Sequence, residues 1–461
     1  MVPHDTISQD DVQALADSVT GPVIVPDDAD YADEGRAYNL AVQHAPDVIL
    51  GATDADDVAA GIRWAGRLGC PVSVQATGHG ASSAIDGGLL ISTSRMQEIV
   101  VDPVERTARV GAGVRWRDVL AATVPHGLIG LNGSSTAVGV VGYTVGGGLP
   151  ILGRAFGFAS DRVRSFEVVT PDGEVRHVDP DSEPDLFAAL RGGKGSFGIV
   201  TSLTFSLLPL SELYGGGIMY PGADAAEVLA AFSRWLPTLP DAAAPSIALL
   251  RLPDLEFVPE PLRGQFVVHL RFAYVGGPLD GAELLAPMRE VSTPLMEMVG
   301  PMSYLDVDQV HMDPVDALPF EDGGLLLHSF DETAQRALLE LVGPQADTPL
   351  LMVEVRPLGG NLALPPVGVD SVSGRDAAFS FITIGLMVPP VGERVPRAIR
   401  DVMRAMEPFS TGGTMVNFHG RPGDEADRAR AWSPEAYARL TAAKATYDPT
   451  NMLRFGHGVG V

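Results

Sequence analysis

Hydrophobic and polar positions alternate between two periods along this chain, and the change of period sets out its elements. Residues 8–18 place Val12, Leu15 and Ala16 on one helical stripe behind Ser8, which reads as an N-cap. Residues 47–50 form a short apolar run. Residues 54–68 follow as a helix, acidic in its first turn, with Val58, Ile62 and Ala65 inward. A second run at 70–75 completes a β-α-β opening. Strands are predicted at 88–92, 98–102 and 107–111, then a helix over 115–123. A hairpin spans 166–170 and 175–178 around Pro171-Asp172-Gly173. A short helix at 185–190 leads to an alternating strand from Ile199. Beyond residue 209 the texture changes. Strands are predicted at 246–252, 265–274, 325–330, 350–356 and 378–387, with helices at 225–236, 332–342 and 394–406. That order suits an antiparallel sheet with helices on one face. The tail forms a helix at 433–444 and stops at Tyr447-Asp448-Pro449.

Composition narrows the class. The 461 residues suit two or three domains, and a 46% hydrophobic content allows a large core. The net charge of -26, from 32 basic against 58 acidic residues, argues against nucleic acid or an anionic membrane as partner. Cys70 is the only cysteine, so an intramolecular disulfide and a thiolate metal cluster are both excluded. The start, MVPHDTISQDDVQ, has no basic and apolar signal pattern, and no long apolar run follows. A soluble, cytoplasmic protein is expected.

Two glycine-rich stretches carry the candidate chemistry. The first is Thr77-Gly78-His79-Gly80-Ala81-Ser82-Ser83, small residues around one imidazole. Such a loop reads either as a surface turn or as a concavity of backbone N–H groups that takes a pyrophosphate. The second, residues 132–148, holds six glycines in seventeen residues and no charge, which is too apolar for a linker. It reads as backbone packed against a flat ligand or against another segment. Gly193 to Gly198 fits G-x-G-x-x-G formally, but a helix precedes it and a strand follows, the reverse of a dinucleotide fingerprint. No metal motif and no G-x-S-x-G elbow occurs.

Taken together, QATGHGAS, VGVVGYTVGGG with GRAFGFASD, DLFAALRGGKGSFGIVTSLTF, DPVERTARVGAG and LTAAKATYDPTNMLRF resemble the FAD-linked oxidases of the vanillyl-alcohol oxidase superfamily, berberine-bridge-enzyme-like. The resemblance implies an α+β fold with a split FAD-binding domain, residues 1–209 and 410–461, and a substrate domain, 210–409, whose antiparallel sheet roofs the flavin. It implies FAD attached covalently through His79. Flavin contacts are implied for Gln75, Thr77, Gly78, Gly80, Ala81 and Ser82; for Ser135, Val138, Gly139, Gly142, Gly146, Gly147 and Gly148; for Gly198, Ile199 and Val200; and for Asn417. Many relatives carry a second link through a cysteine. Ser135 stands at that position and cannot form a thioether, so attachment through His79 alone is implied.

The implied reaction takes a hydride from a C–H next to an O–H or N–H of a small or medium metabolite, with O2 as acceptor and peroxide as product. A dehydrogenase using another acceptor, or a flavin protein that only binds a metabolite, are the alternatives. Secondary-metabolite tailoring, sugar oxidation and amine oxidation all occur on this scaffold. A base must sit within reach of the O–H or N–H proton. Glu354 is the first candidate; alternatively it pairs with Arg356 or Arg271 and only holds structure. His328, His419 and Tyr143 are the other candidate catalytic residues, with Tyr143 beside the flavin ring. On the strand 378–387, alternation is read with Phe381, Thr383, Gly385 and Met387 toward the flavin and Ile382, Ile384 and Leu386 toward the helices. Where relatives place a glutamate base on that strand, this chain has Thr383. The partners expected are a small-molecule substrate and O2, with neither nucleic acid nor membrane, in a monomer or homodimer.

Overall fold

The strands Val48–Gly51 and Leu89–Ser92 are apolar at nearly every position, and both are buried along their whole length. Continuous apolar runs of this kind belong to parallel sheets covered on both faces. In the computed structural model, which describes residues 7–254, 256 and 258–460, they pair in parallel with each other, and Leu89–Ser92 pairs in parallel with Val72–Gln75 on its other side. The helix Ala55–Leu68 makes the crossover. Asp54 caps its start by accepting from the Asp57 N–H, and Gly69 ends it at φ 66°, a left-handed turn that glycine adopts without strain. The N-terminal residues 1–6 lie outside the described residues.

A five-stranded antiparallel sheet follows, in the order Ile99–Asp102, Thr107–Gly111, Ile199–Ser206, Val163–Val169, Val175–Val178. It shares one apolar core with the parallel sheet and with the C-terminal helix Pro434–Tyr447. The third sheet has seven antiparallel strands, in the order Met296–Ser303, Glu212–Pro221, Phe266–Tyr274, Ala243–Arg251, Leu350–Pro357, Phe379–Leu386, Phe320–Leu327. Helices Ala225–Trp235, Pro278–Arg289, Glu332–Val342 and Val395–Met406 cover one face of it through a second core. This is the α+β arrangement expected from the sequence. Among the described residues no helix is long and apolar enough to cross a membrane.

Three features differ from the sequence reading. Glu212–Pro221 is a full strand although it contains Gly215, Gly216 and Gly217, which erase the alternation signal. Gly216, at φ 137°, runs against the Met298 carbonyl, where no side chain fits. Secondly, Phe320–Leu327 begins five residues before the predicted Leu325, so the polar Glu321-Asp322 pair is part of the sheet. Thirdly, the faces of Phe379–Leu386 are reversed. Phe381 lies in the helix-covered core, Thr383 pairs with Val353 of that core, and a side chain at Gly385 would meet Val395. Ile382 is opposite Glu354, so Ile382 and Ile384 are the residues on the uncovered face. A strand with apolar residues on both sides gives no alternation to read, and its register is then set by its neighbours.

The uncovered face of the seven-stranded sheet is turned to the glycine-rich segments. Thr136 donates to Asp308 from both its N–H, 2.8 Å, and its hydroxyl. Arg154 donates to the Ala243 carbonyl at 2.9 Å and the Leu358 carbonyl at 2.6 Å. Asn417 donates to the Tyr143 carbonyl at 3.0 Å.

Candidate functional site

His79 sits on the loop that leaves strand Val72–Gln75. Gly78, at φ 73°, is pressed on Ala37 so closely that a Cβ would lie 2.6 Å from the Ala37 Cα. The His79 ring stacks on Tyr38, with centroids 3.6 Å apart and planes 12° from parallel. Its Nδ1 lies 2.9 Å from the Thr77 hydroxyl. Its Nε2 is buried and has no partner among the described residues. Burial, then the positive charge of Arg115, push the imidazole down to about 4, so it is neutral near pH 7. A neutral ring with one nitrogen held and the other free is ready to bond a group placed beside it.

The second glycine stretch meets this loop. A Cβ on Gly139 would lie 3.6 Å from the Thr77 side chain. Val140–Thr144 is a short helix, and Gly142 on it faces open space. The Tyr143 ring fills the space beside Gly133 and Gly148, with its edge on Trp116 at 5.8 Å. Its hydroxyl is buried without a partner, and burial holds it well above the usual phenol range. Gly146 touches both Asn417 and Lys194, and Gly147 lies against Val372. Ser135 accepts from the Ala137 N–H at 3.3 Å, and the Val138 carbonyl accepts from Trp116.

Lys194 brings a second cation to this region. Its Nζ is 3.5 Å from the Gly142 carbonyl and 3.7 Å from where a Cβ on Gly80 would stand. Burial alone pushes it down to about 8. Beside it, His457 donates from Nε2 to the Gly420 carbonyl at 2.9 Å, so its Nδ1 accepts from the Ser82 hydroxyl at 3.4 Å. Burial, with Lys194 next in order, pushes His457 down to about 3. His419, 5.4 Å from His457 between ring centroids, stands 3.2 Å from Asp427.

Glu354 is on the uncovered sheet face, but it is not free. Its Oε1 is 2.9 Å from Arg271 Nη1, and Arg356 Nη2 donates to both its oxygens at 3.1 Å. His311 Nε2 is 3.6 Å away. Burial opposes its charge, yet Arg356, Arg271 and His311 together hold the carboxyl well below the usual range. The paired alternative is the one the structure has. His328 lies exposed at the end of its strand and is not in the cleft. Gln75 is buried with its amide spent on the Arg36 carbonyl and on His44, each at 3.1 Å. Gly198, Ile199 and Val200 pack on strand Val163–Val169, and the side chains of Ile199 and Val200 lie in the core.

Asp322 escaped the sequence reading. It alternates with Gly324 and Leu326 on the uncovered face, where the segment carrying Phe418 and Gly420 crosses. Two residues before it, Phe320 contacts the Tyr38 ring, 6.4 Å between centroids, which stacks on His79. Among the described residues its carboxyl has no side-chain hydrogen bond and no cationic partner. Burial first, with adjacent Glu321 adding to it against its own backbone N–H, pushes it up to about 6. The signal available in the sequence was an acid inside FEDGGLLL, a strand whose polar beginning looks like a loop.

A family profile described as an FAD binding domain matches residues 46–179, the stretch that holds both glycine-rich segments. The FAD-linked oxidoreductase YgaK of Bacillus subtilis is 26% identical over 96% of this chain and 97% of its own. (R)-6-hydroxynicotine oxidase of Paenarthrobacter nicotinovorans is 27% identical over 96% and 97%. The chain is an FAD-linked oxidoreductase. Its fold is that of the vanillyl-alcohol oxidase, berberine-bridge-like flavoproteins. The crystal structure of 6-hydroxy-D-nicotine oxidase from Arthrobacter nicotinovorans superposes with a TM-score of 0.84, at 24% identity, over 96% of this chain and 98% of the other. BBE-like 1 of Physcomitrella patens gives 0.84 at 19% identity, over 97% and 98%.

The residues of this oxidoreductase fit the cofactor that its FAD binding domain implies. The orphaned His79 Nε2 lies on the loop whose Gly80 faces the Lys194 ammonium, and that ammonium stands 3.5 Å from the carbonyl of Gly142, whose own side is open. A flat ring with an anionic tail has the shape and charge that would satisfy them.

Proposed function

We propose that this oxidoreductase is an FAD-linked oxidase holding the flavin through His79 alone, with O2 as electron acceptor and H2O2 as product. The observation that carries this reading is the buried, unpartnered nitrogen of His79, set where the two glycine-rich segments meet. Thr77 fixes the ring by its other nitrogen, and Tyr38 fixes its plane. Residues 77–82 and Gly139 to Gly148 lie close around the cofactor, with Lys194 and Asn417 at its polar edge. Residues 1–209 and 410–461 hold FAD, and 210–409 form the roof. Ser135 gives no second attachment.

Bound FAD supplies the two-electron acceptor for a hydride from the substrate C–H. This chain's own residues manage the proton. Asp322 takes it from the O–H or N–H beside the oxidised carbon, because it is the carboxylate on this face with no cation bound to it and it titrates near working pH. Glu354 stays ionised and positions Arg271 and Arg356. The substrate is a small or medium organic metabolite. The relative named for 6-hydroxynicotine supports the oxidase reading. The protein works as a monomer or homodimer in the cytoplasm.

Acid precipitation tests the attachment. A yellow pellet whose tryptic flavopeptide contains His79 is expected; a colourless pellet with free FAD in the supernatant overturns the covalent link. Turnover should release one peroxide per substrate oxidised. Bleaching of the flavin without peroxide would make the protein a dehydrogenase, and binding without bleaching would leave it without redox turnover.

A further inference from the structure

The chain has 32 basic residues, yet only two of them are lysines, Lys194 and Lys444. Lys444 is spent inside the protein. Its Nζ donates to the Ser196 and Leu453 carbonyls at 3.2 and 2.8 Å and to Asp448 at 2.7 Å. Lys194 is not spent. Its one side-chain hydrogen bond among the described residues is the long 3.5 Å contact with the Gly142 carbonyl. Burial is the single influence on its titration, and no described carboxylate answers its charge.

The backbone of Lys194 carries a second signal. Its φ is 63°, in the left-handed region where a side chain is strained and glycine is not. Glycine stands on both sides of it, at 193 and 195. The N–H groups of Lys194 and Gly192 both donate to the Val145 carbonyl at 3.0 Å, so the second glycine-rich stretch holds this conformation. Another glycine would fit there without strain. A residue kept in spite of strain is kept for its side chain. That side chain runs along Gly146, where a Cβ would lie 2.9 Å from its Cε, and its Nζ ends 3.7 Å from where a Cβ on Gly80 would stand.

Gly80 belongs to a loop with unspent donors. Among the described residues the backbone N–H groups of Gly78, His79, Gly80 and Ser82 donate to nothing, and Ala81 turns back to the Gly78 carbonyl at 3.3 Å. Successive free N–H groups beside a free ammonium suit an anion carrying more than one charge. The oxidised flavin ring is neutral. The part of FAD with fixed negative charge is its diphosphate.

We propose that Lys194 binds the diphosphate of FAD together with the free N–H groups of residues 78–80, and so makes the protein select FAD over a flavin without phosphate. The inference rests on the FAD binding domain and needs neither a bond at His79 nor O2 as acceptor.

The full chain carrying His79→Ala, in which flavin exchanges freely, would test it by titration with FAD and with riboflavin, read from flavin fluorescence. Adding Lys194→Met should weaken FAD about tenfold or more, the scale of a lost charge-assisted hydrogen bond, and move riboflavin by less than about twofold. Lys194→Arg should recover part of the loss. Lys194→Gly removes the strain as well as the charge, so it should unfold at no lower denaturant concentration and still lose FAD. It serves if Lys194→Met fails to fold, and a merely structural lysine would not separate stability from affinity in this way. Reductive methylation gives a further readout. Lys194 should be labelled in the flavin-free protein and protected by FAD but not by riboflavin, with Lys444 unlabelled throughout. Unchanged FAD affinity in Lys194→Met, equal losses for FAD and riboflavin, or protection by riboflavin would each overturn the proposal. A lower flavin reduction potential at unchanged FAD affinity would overturn it too, and would move the charge to the reduced ring. FAD bound without any link to His79 would sink the covalent reading and leave this one standing.

Discussion

Glu354 and Arg271 are joined across two strands of the central sheet by a 2.9 Å contact, with both side chains almost wholly out of water. A carboxylate held this way is a structural anchor. Removing it leaves two guanidiniums buried together, so Glu354→Gln should cost about 3–5 kcal/mol of stability, read from chemical denaturation. The pH dependence has a definite sign. The folded carboxyl lies below its unfolded value, so this contribution is complete above the unfolded value and is lost as pH falls through the folded one. Wild type and variant should therefore converge in stability under strong acid. A constant gap down to pH 2 would exclude the anchor.

Asp322 should govern the acidic limb of the pH profile. Its carboxyl, pushed up to about 6, must be ionised to accept a proton, so kcat/KM should rise with pH through that range. Asp322→Asn should flatten the limb and lower kcat by about 10²–10⁴-fold, the usual contribution of a positioned base. A variant that keeps the limb assigns it elsewhere.

Gly142 and Gly146 separate folding from flavin binding. A methyl at Gly142 meets no protein atom within 4 Å, and in a helix alanine is better than glycine by up to about 1 kcal/mol. Gly142→Ala should therefore fold as well as wild type but retain less flavin, measured as the ratio of visible to ultraviolet absorbance. At Gly146 the methyl strikes Asn417 and Lys194, so Gly146→Ala should lose about 1–3 kcal/mol as well as flavin. Full flavin content in Gly142→Ala would place the cofactor elsewhere.

Thr77 orients His79 through a 2.9 Å hydrogen bond. Thr77→Val keeps the shape and removes the bond. Flavin fluorescence of the denatured band in a gel should drop severalfold while total flavin in the native protein changes less. Equal drops in both would show that Thr77 serves retention and not attachment.

Much of the fold was legible in the sequence. Apolar runs marked the parallel strands, an amphipathic stripe with an acidic first turn marked the crossover helix, and the small residues around His79 marked the loop on which it sits. These are local signals, since each depends on residues within one or two turns or strands of each other. The unread parts all depend on partners far away in the chain. Thr383 was placed on the wrong face because its strand is apolar on both sides, and only pairing with Val353 and Gly323 decides which side meets the helices.

The sequence by itself determined two glycine-rich, uncharged or nearly uncharged stretches, one of them around a histidine, and an antiparallel sheet backed by helices. The tertiary structure alone decided which carboxylate on the uncovered sheet face is free. Glu354 and Asp322 both read as carboxylates on strands of the same sheet. One falls between two guanidiniums brought from residues 271 and 356, and the other has no cationic partner among the described residues. Charge pairing acts through space over a few ångströms and ignores distance along the chain, so it is fixed only when the strands have taken their register.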